Sequence, residues 1–198
     1  MTYLGTIRGS AVFSACEHYR YRLDRALDGK GPPVGFMLHN PSLAGADRED
    51  ATSRRGIGYA RRWGAASLIF LNPFARISTS PGELWKASPP SQASMSPPDP
   101  VGPENDRHIR QACAELAAGG GLLVYAFGVF GRNQAERLAI DARRREVMAI
   151  VAATGVETKA LALAADGVTP KHPLRLRADL IPFRWPAATA AEEETSHA

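Results

Sequence analysis

The side chains of this sequence with the clearest chemical potential are Asn40, Asn72 and His172. An asparagine amide carries a donor and an acceptor side by side, which is what reading the amide edge of a pyrimidine or purine requires. A histidine across such a pocket can stabilise negative charge developing on a departing base, while Asn40 and nearby backbone groups hold a water. Phe36, Phe74 and Tyr59 are available to stack on the base, and Pro41 and Ser42 complete the loop that carries Asn40. Other chemistries find less support. Ser42 as a nucleophile would need His172 or His39 as base and Asp47 as orienter, and the pentapeptide of the hydrolase nucleophile elbow is absent. Asp47, Glu49 and Asp50 read either as a Mg2+ site beside a phosphorylated substrate or as a solvated charged turn. His18, His39, His108, His172 and His197 lack zinc-type spacing, and no Walker or Gly-x-Gly-x-x-Gly loop follows the first strand, so no metal and no cofactor is expected.

Positioning these groups falls to strand ends. The apolar run Val34 to Leu38 reads as a buried strand that breaks at His39-Asn40-Pro41-Ser42, where Pro41 lacks a backbone donor and biases Asn40 towards an extended conformation. A second run, Ala66 to Leu71, also breaks at an Asn-Pro pair, Asn72-Pro73. Between them Ile57, Ala60 and Trp63 fall on one helical face, with Thr52 or Ser53 as N-cap and Gly64 as the stop. The usual realisation of such a unit is a right-handed parallel crossover, which sets both asparagines on one edge of one sheet. Ligands bind at the carboxyl ends of strands in open α/β sheets, so the site is expected at loops 39–47, 72–76 and 168–174.

The remaining elements follow the same logic. Residues 10–14 suit an early or edge strand, and Tyr19-Arg20-Tyr21-Arg22-Leu23 alternates aromatic and arginine residues that either contact a phosphate-bearing ligand or pack on the domain. A helix is expected over 104–117, a strand over 122–127, a helix over 133–153 with Arg143, Arg144 and Arg145 as a solvated basic face, and a short strand over 158–164. Residues 87–100 form a Ser/Pro-rich excursion, and 187–198 a disordered tail. The expected fold is one α/β domain over 1–186, a three-layer sandwich with a mostly parallel central sheet of about four or five strands.

The 198 residues, 44% apolar and 22% charged, are those of an ordinary soluble domain. No apolar run of about 18 residues and no secretory leader is present, so no membrane partner is expected. Cys16 and Cys113 read as separate thiols in a reducing cytoplasm. A net charge of +4 is compatible with a polyanionic partner without identifying one. Arg54, Arg55, Arg61, Arg62, Lys171 and Arg175 supply basic surroundings for DNA or a nucleotide.

Several of these segments together resemble a known family. Tyr19 to Leu23, Leu38 with Asn40-Pro41-Ser42, Asp50 with Thr52, Arg54 and Arg55, Tyr59 to Gly64, Leu71 to Ala75, Asp99 to Asp106 and Pro170 to Leu174 are similar to the successive motifs of the bacterial and phage DUF1643 family, which is uncharacterised. Ala51 stands where proline is usual, Phe127 where tryptophan is common, and Val129 or Phe130 where a histidine is frequent. The order of Asn40-Pro41-Ser42, Leu71-Asn72 and His172-Pro173-Leu174 also resembles that of the uracil-DNA glycosylase superfamily. That resemblance implies the glycosylase fold, with Asn40 placing water, Asn72 recognising the base, His172 stabilising the leaving anion and Leu174 acting as a wedge. The expected function is recognition of a nucleobase or nucleotide, with N-glycosidic hydrolysis of a DNA base as its catalytic form. The alternatives are a non-catalytic nucleic-acid or nucleotide binding protein, and a structural or interaction protein in which the Asn-Pro loops only fix the fold.

Overall fold

The computed structural model describes residues 8–42, 44–78, 84 and 99–186. The expected tail and most of the Ser/Pro-rich excursion lie outside the described residues. Among those described, three α-helices and one seven-stranded sheet are formed. The strands are β1 (Gly9–Phe13), β2 (Arg20–Ala26), β3 (Val34–Met37), β4 (Ser67–Leu71), β5 (Leu122–Tyr125), β6 (Glu157–Ala160) and β7 (Phe183–Arg184). The helices are α1 (Ala51–Arg62), α2 (Asn105–Ala118) and α3 (Gln134–Ala152).

The sheet order is β1-β2-β4-β3-β5-β6-β7. Its centre follows the expected pattern, because β4, β3, β5 and β6 run parallel, with Phe36 opposite both Phe70 and Val124. The sheet as a whole is not mostly parallel. Three of its six pairings are antiparallel, since the β1–β2 hairpin joins the outer side of β4 and β7 folds back on β6. All four β3 residues are buried, as a strand paired on both sides and covered on both faces demands. Helix α2 packs so close to it that a Cβ on Gly35 would lie 2.6 Å from the Leu116 side chain.

Two cores flank the sheet, making three layers. On one face Phe36, Phe70 and Val124 meet Ile57, Tyr59 and Ala60 of α1. On the other Met37, Leu71 and Tyr125 meet Ile109 and Leu116 of α2 and Val147 and Val151 of α3. The α1 N-cap is Asp50 rather than Thr52 or Ser53: its carboxylate accepts from the Ser53 amide at 2.7 Å, and Ser53 Oγ accepts from the Asp50 amide at 2.9 Å. The basic triplet of α3 also departs from expectation, because only Arg145 is exposed. Arg143 donates to the Pro73 carbonyl at 3.0 Å and pairs with Asp106, whereas Arg144 donates to the Gly128 carbonyl at 2.7 Å. Among the described residues no helix is long and apolar enough to cross a membrane.

Chain direction fixes where a crevice must open. From β3 the chain passes through α1 to β4 on one side, and from β4 through α2 to β5 on the other. The loops leaving β3 and β5 therefore part in opposite directions, and the gap between them is the switch point of an open α/β sheet.

Candidate functional site

A cavity of about 300 Å³ opens at the carboxyl end of β3, against β2, β4 and the start of α1, at the lower end of small-molecule sites, which span roughly 300–1,000 Å³. The loop after β3 contributes His39, Asn40 and Ser42, the first turn of α1 contributes Thr52 and Ser53 with the capping Asp50, and β2 contributes Arg20. Phe130 enters from the loop after β5, and His172 and Leu174 from the 3-10 turn over Pro173–Arg175. Gly128 lets the last two loops meet: its φ is +75°, and a Cβ there would stand 3.0 Å from the His172 Cβ and from the Phe130 ring.

His39 is 2% exposed, wedged against Phe74 (5.1 Å between ring centroids) and Phe130 (4.4 Å). Neither of its ring nitrogens has a hydrogen-bond partner among the described residues. Burial, then the positive charge of Arg144 and His172, pushes its pKa down to about 3, so at neutral pH it presents one donor and one acceptor. His172 is also held below the usual histidine range by burial, with Asp50 opposing the shift. Its Nδ1 accepts from the Leu174 amide at 3.4 Å, which assigns the proton of the neutral ring to Nε2.

Asn40 Nδ2 donates to the carbonyls of Ser78 at 2.9 Å and Pro41 at 3.0 Å. These bonds hold the amide and leave Oδ1 as its one unengaged acceptor among the described residues. Ser42 donates its hydroxyl to the Asp50 carboxylate. Burial alone would raise the Asp50 pKa, but the hydrogen bonds from Ser42 and Ser53 and the charge of Arg20 together hold it below the usual carboxylate range. Arg20 is buried, donates to the Ala44 carbonyl at 2.5 Å and keeps Nε without a partner among the described residues. Its pKa falls to about 10 through burial, so it remains a cation at neutral pH. The cavity thus combines a buried arginine cation, a carboxylate that feels its charge, two neutral histidines and an amide oxygen. Among the described residues no group of three metal-binding side chains exists.

The sequence-derived candidates divide. Asn40, Ser42, His172 and Leu174 converge on the cavity. Pro41, Asn72, Phe74 and Tyr59 do not line it. Pro41 is buried, and its carbonyl receives the Ser78 amide at 3.0 Å. Asn72 is buried at the end of β4, on the same sheet edge as Asn40, and its backbone carbonyl receives the Asn105 amide group at 2.9 Å. Phe74 props His39, while Tyr59 is core and donates its hydroxyl to the Arg177 carbonyl. Arg54, Arg61 and Arg62 are exposed along α1, Arg62 being tied to the Ala178 carbonyl, and Arg55 lies over the Tyr59 ring. Lys171 and Arg175 are exposed and line an adjoining groove of about 420 Å³ that shares Phe130, His172 and Leu174 with the cavity. Asp50, which the sequence offers with Asp47 and Glu49 as a metal ligand or a solvated turn, is instead the α1 cap facing the cavity, and Phe130 carries no chemical signal in the sequence. The arginine alternation before Leu23 was the only signal for Arg20.

The family model described as "Protein of unknown function (DUF1643)" matches residues 20–174, most of the chain and all of the cavity's loops. No curated protein and no solved structure matches it.

Proposed function

We propose that this chain, which belongs to the DUF1643 family of proteins of unknown function, binds a nucleobase or nucleotide in the cavity at the carboxyl end of β3, with N-glycosidic hydrolysis as its catalytic form. The observation that carries the reading is His39: a neutral ring, nearly fully buried, lines the cavity with neither nitrogen hydrogen-bonded among the described residues, and Asn40 lines the same cavity. Unpaired buried polar groups cost about 1–3 kcal/mol each, a burden that a ligand with complementary donors and acceptors relieves. A heterocyclic amide edge offers that complement, and Phe130 offers a face for stacking.

In hydrolysis, Asn40 Oδ1 accepts a hydrogen bond from the attacking water and the Asp50 carboxylate takes its proton. The water oxygen bonds to the anomeric carbon as the carbon–nitrogen bond breaks, and the electron pair leaves with the base. His172 donates from Nε2 to the oxygen on which that charge accumulates, as a neutral imidazole. The resemblance of the motif order to that of the uracil-DNA glycosylase superfamily supports these roles for Asn40 and His172, and the basic groove at Lys171 and Arg175 supports a nucleic-acid phosphate beside the cavity. Two unpaired thiols, Cys16 and Cys113, fit a protein acting in the cytoplasm.

A non-catalytic binding protein is the second reading. It is favoured by the prior engagement of Asp50, whose two oxygens already serve Ser42 and the Ser53 amide. One experiment separates the two. Base release is measured from duplexes and single strands containing uracil, mismatched thymine or modified bases, with wild type, Asn40→Ala and His172→Ala. Product that falls by orders of magnitude in both variants supports hydrolysis. Salt-sensitive DNA binding without product supports the binding protein, and neither product nor binding removes the proposal.

A further inference from the structure

A second cavity, of about 620 Å³, lies between α3, β7 and the loop 163–170, and shares no residue with the candidate site. Phe127, Met148, Leu163 and Trp185 give it an apolar lining. Among its lining residues Arg144, Arg145 and Arg184 outnumber one carboxylate, Asp141, and Asp166 on the bounding loop is a second negative charge that Arg144 feels.

Arg144 is the informative one. It is 8% exposed and its guanidinium lies over the Phe127 ring, 4.9 Å from the centroid. Nη2 is committed to the Gly128 carbonyl at 2.7 Å, and Asp141 stands off at 3.8 Å. Nε is buried with no hydrogen-bond partner among the described residues. Arg145 and Arg184 are exposed at the mouth, and neither forms an ion pair among the described residues. A buried guanidinium with a donor to spare and its nearest carboxylate only at 3.8 Å, beside two cations without ion pairs among the described residues and over an aromatic and aliphatic floor, has room for a closer anion.

We infer that this cavity is a second ligand site, taking an organic anion whose flat apolar body rests on Phe127, Met148 and Trp185 while its carboxylate or sulfonate is held by Arg144, Arg145 and Arg184. The site adjoins the first through the backbone. Gly128, whose carbonyl Arg144 holds, donates its amide to the Pro170 carbonyl at 2.9 Å, and Pro170 lines the second cavity just before His172.

The test uses the full chain and the aromatic sulfonate 1-anilinonaphthalene-8-sulfonate, with neutral N-phenyl-1-naphthylamine as the uncharged counterpart. Fluorescence titration is expected to give saturable one-to-one binding of the sulfonate. The combined Arg145→Glu and Arg184→Glu variant should weaken it by about ten-fold or more, since each lost charge-assisted contact is among the stronger polar interactions. Asn40→Ala should leave it unchanged. Both arginines are exposed, so the fold should survive, and circular dichroism checks that it does. If the double variant does not fold, Arg145→Gln and Arg184→Gln singly should each weaken binding by about three-fold. Binding indifferent to charge reversal, matched by the neutral compound, or lost in Asn40→Ala overturns the inference.

Discussion

Replacing His39 with phenylalanine should make the protein more stable and remove its ability to bind a base. The imidazole is 2% exposed, with a donor and an acceptor unpaired among the described residues, and each such group costs about 1–3 kcal/mol. A phenyl ring keeps the contacts with Phe74 and Phe130 and has the adjoining cavity to extend into. At pH 7 the variant should therefore gain up to about 2–6 kcal/mol in urea unfolding, the two groups taken together. Acid should widen the difference. The folded pKa of His39 is about 3 against roughly 6.5 in the unfolded chain, so between these values the unfolded state binds the extra proton and stability falls as pH falls. At pH 5 that linkage amounts to about 2 kcal/mol lost by wild type and not by the variant. Urea titrations at pH 5, 6, 7 and 8 measure both quantities. A variant less stable than wild type at pH 7, with the same dependence on pH, would refute the picture of an unpaired neutral histidine.

Two further substitutions separate scaffold from site. Asp50→Ala removes the α1 cap and the partner of Ser42, so it should cost about 1–2 kcal/mol at pH 7. Because the folded pKa of Asp50 is depressed, its contribution is present above the unfolded value near ~3.9 and is lost as pH drops through the folded one, so wild type and variant should converge in urea titrations below about pH 4. Tyr59→Phe deletes only the hydroxyl bond to the Arg177 carbonyl, which predicts about 0.5–1.5 kcal/mol of destabilisation and unchanged base affinity. A large loss of affinity in that variant would restore Tyr59 as a stacking residue.

The central strands were legible because Val34 to Leu38 and Leu68 to Leu71 are short apolar runs closed by an Asn-Pro pair, the pattern of strands buried on both faces. Strand β2 was harder. Its Arg20 and Arg25 occupy buried positions that only hydrogen-bonding partners make tolerable, and those partners are the Ala44 and Gly45 carbonyls and the Glu49 carboxylate, on the loop after β3. Antiparallel additions at both edges escaped for a related reason, since strand direction at an edge depends on which partner the chain returns to. The capping role of Asp50 is hidden because Asp47 and Glu49 make it look like part of a metal site or charged turn, and because its partner Ser53 itself looks like a cap. The Asn40 and His172 loops could be placed from motif order. His39 could not be weighed, since its isolation depends on Phe74 and Phe130 arriving from distant loops. The same limit applies to Asn72, which shares the sheet edge with Asn40 while α2 ties down its loop.

The central claim is that a base sits against His39, His172 and Asn40. Side-chain 1H–15N spectra of the histidines, recorded while free uracil, thymine, cytosine, adenine or guanine is titrated into the protein, test it most directly. The account predicts saturable shifts of the His39 and His172 ring nitrogens with at least one base, absent in Asn40→Ala and with no movement of His108 or His18. Ring signals of His39 and His172 that stay fixed with every base, or that move equally in Asn40→Ala, would contradict it.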